Sequence, residues 1–159
     1  ADAIKSLPEG IRSSKEAVAE TIENNVRRKI IKDHLIDPAY FDDMSKLLSE
    51  IVRERKANAV SYEEYLKKIA ELAKRVANLT RDDLPAEVKT NAQRALYNNL
   101  GKNKELAISV DKAVQKSRRA DWRGNAPSEN LIKKEMLYVL RDTDEGERIF
   151  PIIKEQNEY

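Results

Sequence analysis

The sequence predicts an all-α fold, an antiparallel multi-helix bundle of about seven helices forming a single domain over residues 1–159. Three observations lead there. Apolar residues recur three and four positions apart almost throughout, the period of one helix face. Residues that cap helix N-termini stand just ahead of these stripes. Charged residues make up 36% of the chain and aromatic residues 6%, with only four Gly and five Pro. That composition suits long solvated helices over a Leu/Ile/Val/Ala core better than a β-sandwich. A chain of this length can bury roughly 70% of the surface its unfolded form exposes, so a real core is expected.

Each element follows from its stripe and its stops, and helices are expected near 13–34, 38–57, 62–77, 86–100, 104–119, 129–141 and 144–158. Ser13 with Glu16 opens the first as a capping box, ahead of Val18, Ile22, Val26 and Ile30. Asp37 then caps a second helix with Pro38 at its first position, and Phe41, Met44, Leu48, Ile51 and Val52 form its stripe. Ser61 with Glu64 opens a third, carrying Leu66, Ile69, Ala70, Ala73 and Val76. Polar residues from Asn78 to Leu84 form a loop, and Pro85 starts a fourth helix with Val88, Ala92, Ala95 and Leu96 inward. Gly101 stands where a left-handed C′ residue belongs. Asn103 caps the fifth helix, with Leu106, Val110, Ala113 and Val114 inward, and Asp121 to Pro127 form a loop. Ser128 caps the sixth, with Ile132, Met136, Val139 and Leu140 inward, and Thr143 caps the last, which carries Ile149, Ile152 and Ile153. Pro151 falls within the final stripe, where an interior proline costs ~3 kcal/mol, so a break or kink is expected there.

The search for chemistry returns little. The glycines are isolated, so there is no clustered loop to cradle a phosphate and no dinucleotide fingerprint. The absence of Cys excludes disulfides, thiolate ligands and thiol nucleophiles. His34 is the only histidine, which leaves no zinc site of the usual kind, and it reads as a surface residue near a helix C-terminus. The acid pairs Asp42-Asp43, Glu63-Glu64 and Asp82-Asp83 read as first-turn or loop residues rather than converging metal ligands. No apolar run approaches the ~20 residues needed to span a bilayer, so no membrane contact and a cytoplasmic home are expected.

Two stretches break local rules. Asn24-Asn25 lies in mid-helix, where Asn costs ~0.7 kcal/mol relative to Ala, and is followed by Val26-Arg27-Arg28-Lys29. Asn24, Arg27, Arg28 and Ile31 fall on overlapping turns, partly offset from the core stripe. They either dock on a partner or bond to a neighbouring helix or loop. The second stretch is basic: Lys102 to Lys134 holds nine Lys/Arg against four Asp/Glu. Within it Lys112, Lys116, Arg118, Arg119 and Arg123, interleaved with Trp122, are candidate DNA contacts. Alternatively, Trp122 belongs to the core and the arginines are solvated or paired. Five phosphate contacts would give a log–log salt slope no steeper than ~−4.5.

The same stretches carry a family resemblance. The blocks LPEGIRSSKEAVAETIENNVRRKIIKD (Leu7 to Asp33), DPAYFDDMSKLLSEIVRERK (Asp37 to Lys56) and SYEEYLKKIAELAKRV (Ser61 to Val76) occur in order. QRALYNNLG (Gln93 to Gly101), SRRADWRGN (Ser117 to Asn125) and IIKEQNEY (Ile152 to Tyr159) follow them. Together they resemble the C-terminal helical region of the restriction (R) subunit of type I restriction-modification enzymes. Subunits of that family join a nuclease domain to an ATP-driven DNA motor, and no Walker A, helicase tetrad or nuclease core is found here. The resemblance implies a non-catalytic assembly module. It would dock the R subunit on the methyltransferase core of modification and specificity subunits and contact DNA weakly and without sequence preference. No cofactor is expected in this chain, ATP and Mg belonging to the absent motor and nuclease domains. A stand-alone nucleic-acid-binding bundle is the alternative, although a pI of 8.7 is only mildly basic for one.

Overall fold

The computed structural model describes residues 14–79 and 83–159. Among the described residues the fold is all-α, with no strand. Its elements are α1 (Lys15–Asp33), a 3₁₀ turn (His34–Ile36), α2 (Pro38–Lys56), α3 (Tyr62–Asn78), α4 (Asn91–Asn99), α5 (Lys104–Ser117), α6 (Ala126–Leu140) and α7 (Thr143–Lys154). They divide between two compact units. The first holds α1, α3 and α2 from Phe41 onward, and the second holds Leu35–Tyr40 with α4 to α7.

In the first unit Val18, Ile22, Val26 and Ile30 from α1, Phe41, Met44 and Leu48 from α2, and Ile69 and Val76 from α3 are buried as expected. Ile51, Val52, Leu66 and Ala73 are only half-buried, Ala70 is exposed, and Tyr65 and Leu72, outside the expected stripe, are buried in α3 instead. Burying a side chain of this kind contributes roughly 1.5–3 kcal/mol. A polar cluster lies among them. Glu23 is 3% exposed, and Arg55 grips it with Nε 3.2 Å from both carboxylate oxygens and Nη2 2.8 Å from Oε1. The Tyr65 hydroxyl lies 3.3 Å from Glu23 Oε2 and 3.2 Å from the Ala19 carbonyl. One residue from each helix thus meets at a satisfied buried charge, which keeps its desolvation cost compensated.

The second unit is built on Leu96, Val110, Val114, Trp122, Ile132, Met136, Ile149, Phe150 and Ile153. Trp122 meets Phe150 edge-on at 6.1 Å, a favoured aromatic geometry. The segment Glu155–Tyr159 closes this core. The Tyr159 hydroxyl donates to the buried carboxylate of Asp111, which also accepts from Gln93 Nε2 at 3.0 Å and from Gln115 Nε2 at 3.2 Å. Gln156 Nε2 donates to the Ile36 carbonyl at 2.7 Å. Glu158 Oε1 accepts from the Ala92 N–H at 3.1 Å, placing a carboxylate at the positive end of α4.

Several helix starts differ from the sequence expectation. Ser14 caps α1, accepting from the Ala17 N–H at 3.3 Å; Ser13, the expected cap, lies outside the described residues. Pro85 does not begin a helix. It opens a turn, with the Val88 N–H bonded to the Pro85 carbonyl at 3.0 Å, and α4 starts only at the capping box Thr90–Gln93. Asn125, not Ser128, caps α6, which leaves Pro127 in the first turn where a missing N–H costs nothing. Asp142, not Thr143, caps α7. Nor does Pro151 break α7, which runs on to Lys154. Both Pro151 and Glu147, the residue whose carbonyl would have received the missing N–H, are exposed. Asp37, Ser61 and Asn103 cap as expected, through bonds to Tyr40 N at 3.2 Å, Glu64 N at 3.2 Å and Leu106 N at 3.0 Å. Gly101 adopts φ +65 and lets the Lys102 N–H reach back to the Tyr97 carbonyl at 2.9 Å, the six-to-one bond of a Schellman cap.

Candidate functional site

The face of α1 opposite its buried stripe is open. Asn24, Arg27, Arg28 and Ile31 are all exposed, and Ile31, at 69%, is the most exposed large apolar side chain among the described residues. Asn24 does not reach another helix; its Oδ1 accepts from Arg27 Nη1 at 3.0 Å on its own helix. That bond holds the Arg27 guanidinium over the face. No side-chain partner meets Arg28 among the described residues. The intramolecular explanation for the two asparagines therefore loses its basis at Asn24.

The basic stretch behaves differently. Trp122 is 2% exposed and belongs to the core, so it is not offered for stacking on a base. The Arg123 guanidinium lies 4.5 Å from the centre of the Trp122 ring. It donates through Nε to the Lys154 carbonyl at 2.9 Å, through Nη1 to the Tyr159 carbonyl at 3.4 Å, and through Nη2 to the Gln156 carbonyl. Arg118 Nη1 reaches the same Tyr159 carbonyl at 3.3 Å. These two arginines bind the segment after α7. All five candidates are exposed, but Arg118 and Arg123 spend donors on these carbonyls, which leaves Lys112, Lys116 and Arg119, with Lys112 and Lys116 one turn apart on α5. Three contacts in place of five lower the steepest expected salt slope to about −2.7.

The blocks that carried the resemblance have structural work in the second unit. Asn99 Nδ2 donates to Asp37 Oδ1 at 2.7 Å while its Oδ1 accepts from the Ala39 N–H at 3.1 Å, and Asn98 Nδ2 donates to Asp37 Oδ2 at 2.8 Å. In the Trp-Arg-Gly-Asn block, Trp122 fills the core, Arg123 anchors the tail, Gly124 takes φ +79 and Asn125 caps α6.

The remaining candidates are ordinary. His34 Nε2 pairs with Asp42 Oδ1 at 2.8 Å, both side chains well exposed. Glu63 and Glu64 sit in the first turn of α3. Asp83 lies 3.9 Å from Lys102, and Asp82 falls outside the described residues. Among the described residues no group of three or more His, Cys, Asp or Glu is arranged to hold a metal ion, and no helix is long and apolar enough to cross a membrane.

Sequence reasoning missed two buried acids, Glu23 and Asp111. The signal was there: each lies beside inward apolar residues, Glu23 after Ile22 and Asp111 between Val110 and Val114. Burial lifts the phenols of both partners, Tyr65 and Tyr159, above their ordinary range, and the adjacent Glu23 and Asp111 carboxylates raise them further. Comparison with protein-family models, curated proteins and solved structures returns no match.

Proposed function

We propose that this chain is a non-catalytic assembly module of a type I restriction endonuclease R subunit, docking the motor subunit on its methyltransferase core through the outer face of α1. The observation that carries the reading is the exposed set Asn24, Arg27, Arg28 and Ile31, two cations and a large apolar residue with no burial in their own unit. The ordered blocks of resemblance supply the identity of the partner. Weak, sequence-independent DNA contact through Lys112, Lys116 and Arg119 is the secondary part of the proposal. The reading assigns no cofactor to this chain and sets the assembly in the cytoplasm.

The test is calorimetric titration of the full R subunit, carrying Asn24→Ala and Arg28→Ala, against the methyltransferase core. Removing a hydrogen-bonded charge from a buried interface costs about 2–5 kcal/mol, so affinity should fall at least tenfold. Helicity by circular dichroism should hold, because Ala raises helix propensity at both positions. Full affinity in a folded double variant would remove this face from the account.

A further inference from the structure

Arg27 belongs to the exposed face of α1 and also lines a groove that the sequence did not announce. The groove has a volume of about 500 Å³ and lies between α1 and the C-terminal half of α2. The cations Arg27, Arg53 and Lys56 line it together with Val52, Ala57 and Ser49, the lining surface is mostly apolar, and no acid lines it. Arg53 and Lys56 are exposed and meet no side-chain partner among the described residues. Two nearby acids are occupied elsewhere: Glu54 binds Lys68 at 2.6 Å and Glu23 binds Arg55. Three cations on a mostly apolar lining, within the same unit as the exposed Ile31, match a ligand that is acidic and apolar together.

We infer that this groove receives an acidic amphipathic segment of a partner protein, its carboxylates on Arg27, Arg53 and Lys56 and its apolar side chains on Val52 and Ala57. The inference rests on the docking role proposed for α1 and gives the partner's chemistry. Two features select a protein over a nucleic acid. A phosphate backbone has no use for an apolar lining. Ser49 is also shared with an adjoining hollow lined by Asp42 and Glu50, whose charges repel a continuous polyanion but not a short acidic segment.

The test is fluorescence anisotropy with three labelled probes and the full chain: a Glu/Leu amphipathic peptide, the same peptide with every Leu replaced by Ser, and a short DNA duplex. Arg53→Gln with Lys56→Gln should weaken the Glu/Leu peptide about tenfold. The Glu/Ser peptide should bind more weakly than the Glu/Leu peptide to the wild type, and DNA binding should not respond to the variant. Gln keeps helix propensity but loses a favourable charge at the C-terminal end of α2, so Lys56→Gln alone supplies the comparison should the double variant lose helicity. Unchanged affinity for the Glu/Leu peptide overturns the inference, as does equal affinity for the two peptides or a loss confined to DNA. Failure of the docking role itself registers separately, in the α1 variants titrated against the methyltransferase core, where Arg53 and Lys56 are intact.

Discussion

The two units use arginine in opposite ways. In the second, Arg118 and Arg123 spend their donors on backbone carbonyls of the segment that closes the core. In the first, Arg55 is absorbed by Glu23, while Arg27, Arg28 and Arg53 bind no backbone carbonyl among the described residues. A run of basic residues in a sequence therefore does not mark a binding surface by itself. What separates the two outcomes is the supply of unsatisfied acceptors nearby. The last carbonyls of a helix and of the tail beyond it are such acceptors, and a planar guanidinium with five donors is suited to them. The outer face of α1 between its ends offers none, and Arg27 and Arg28 stay available there.

That contrast can be stressed from its strongest point downward. Trp122→Ala should have the largest effect. It empties a fully buried site beneath the Arg123 stack and removes the Nε1 bond to the Tyr159 carbonyl at 3.5 Å, so thermal or urea unfolding should show a loss of roughly 3–5 kcal/mol. A loss below about 1 kcal/mol would mean the tryptophan is not a core residue. Next comes Glu23→Ala, which strands Arg55 and Tyr65 and should destabilise by about 3 kcal/mol, the low end for breaking a buried pair because Arg55 keeps 12% of its side chain in contact with solvent. Replacing Glu23 and Arg55 together by Leu and Met should recover most of that loss; a double variant as unstable as the single would show that the cost lay in packing.

A smaller effect appears at alkaline pH. Burial, then Glu23 for Tyr65 and Asp111 for Tyr159, raises both phenol pKa values in the folded state. The unfolded chain loses these protons near pH 10, while the folded chain keeps them. Ionisation thus draws the equilibrium toward unfolding, and the stability present below about pH 10 declines as pH rises beyond it. Urea midpoints measured from pH 8 to pH 11.5 should fall steeply in the wild type and less steeply with Tyr65→Phe and Tyr159→Phe combined. Identical slopes would place the titrating groups elsewhere.

The helical period made the elements and most of the core legible in the sequence. Val18, Ile22, Val26 and Ile30 are buried as the spacing requires, and so are Val110, Val114, Ile132 and Met136. Helix starts were less legible where competing caps stand side by side. Ser13 and Ser14, or Asp142 and Thr143, offer the same chemistry one residue apart, and only the path of the chain chooses between them. At Pro85 a good first-turn residue competed with the capping box at Thr90, and the box won by satisfying two backbone donors at once. The open face of α1 was readable because Asn24 and the cations interrupt a helix without entering its stripe. The fates of Arg118 and Arg123 were not, since the carbonyls they bind come from residues about thirty to forty positions later in the chain. The groove at Arg53 and Lys56 was hidden for the same reason: its third cation comes from another helix.

The most direct test compares the two basic regions in one assembly. The R subunit would be titrated against its methyltransferase core as wild type, as the α1 variant Asn24→Ala/Arg28→Ala, and as the α5 variant Lys112→Ala/Lys116→Ala/Arg119→Ala. The account predicts at least a tenfold loss of affinity for the α1 variant and an unchanged isotherm for the α5 variant, with both proteins folded. The reverse pattern, with the α1 variant binding fully and the α5 variant impaired, would contradict it.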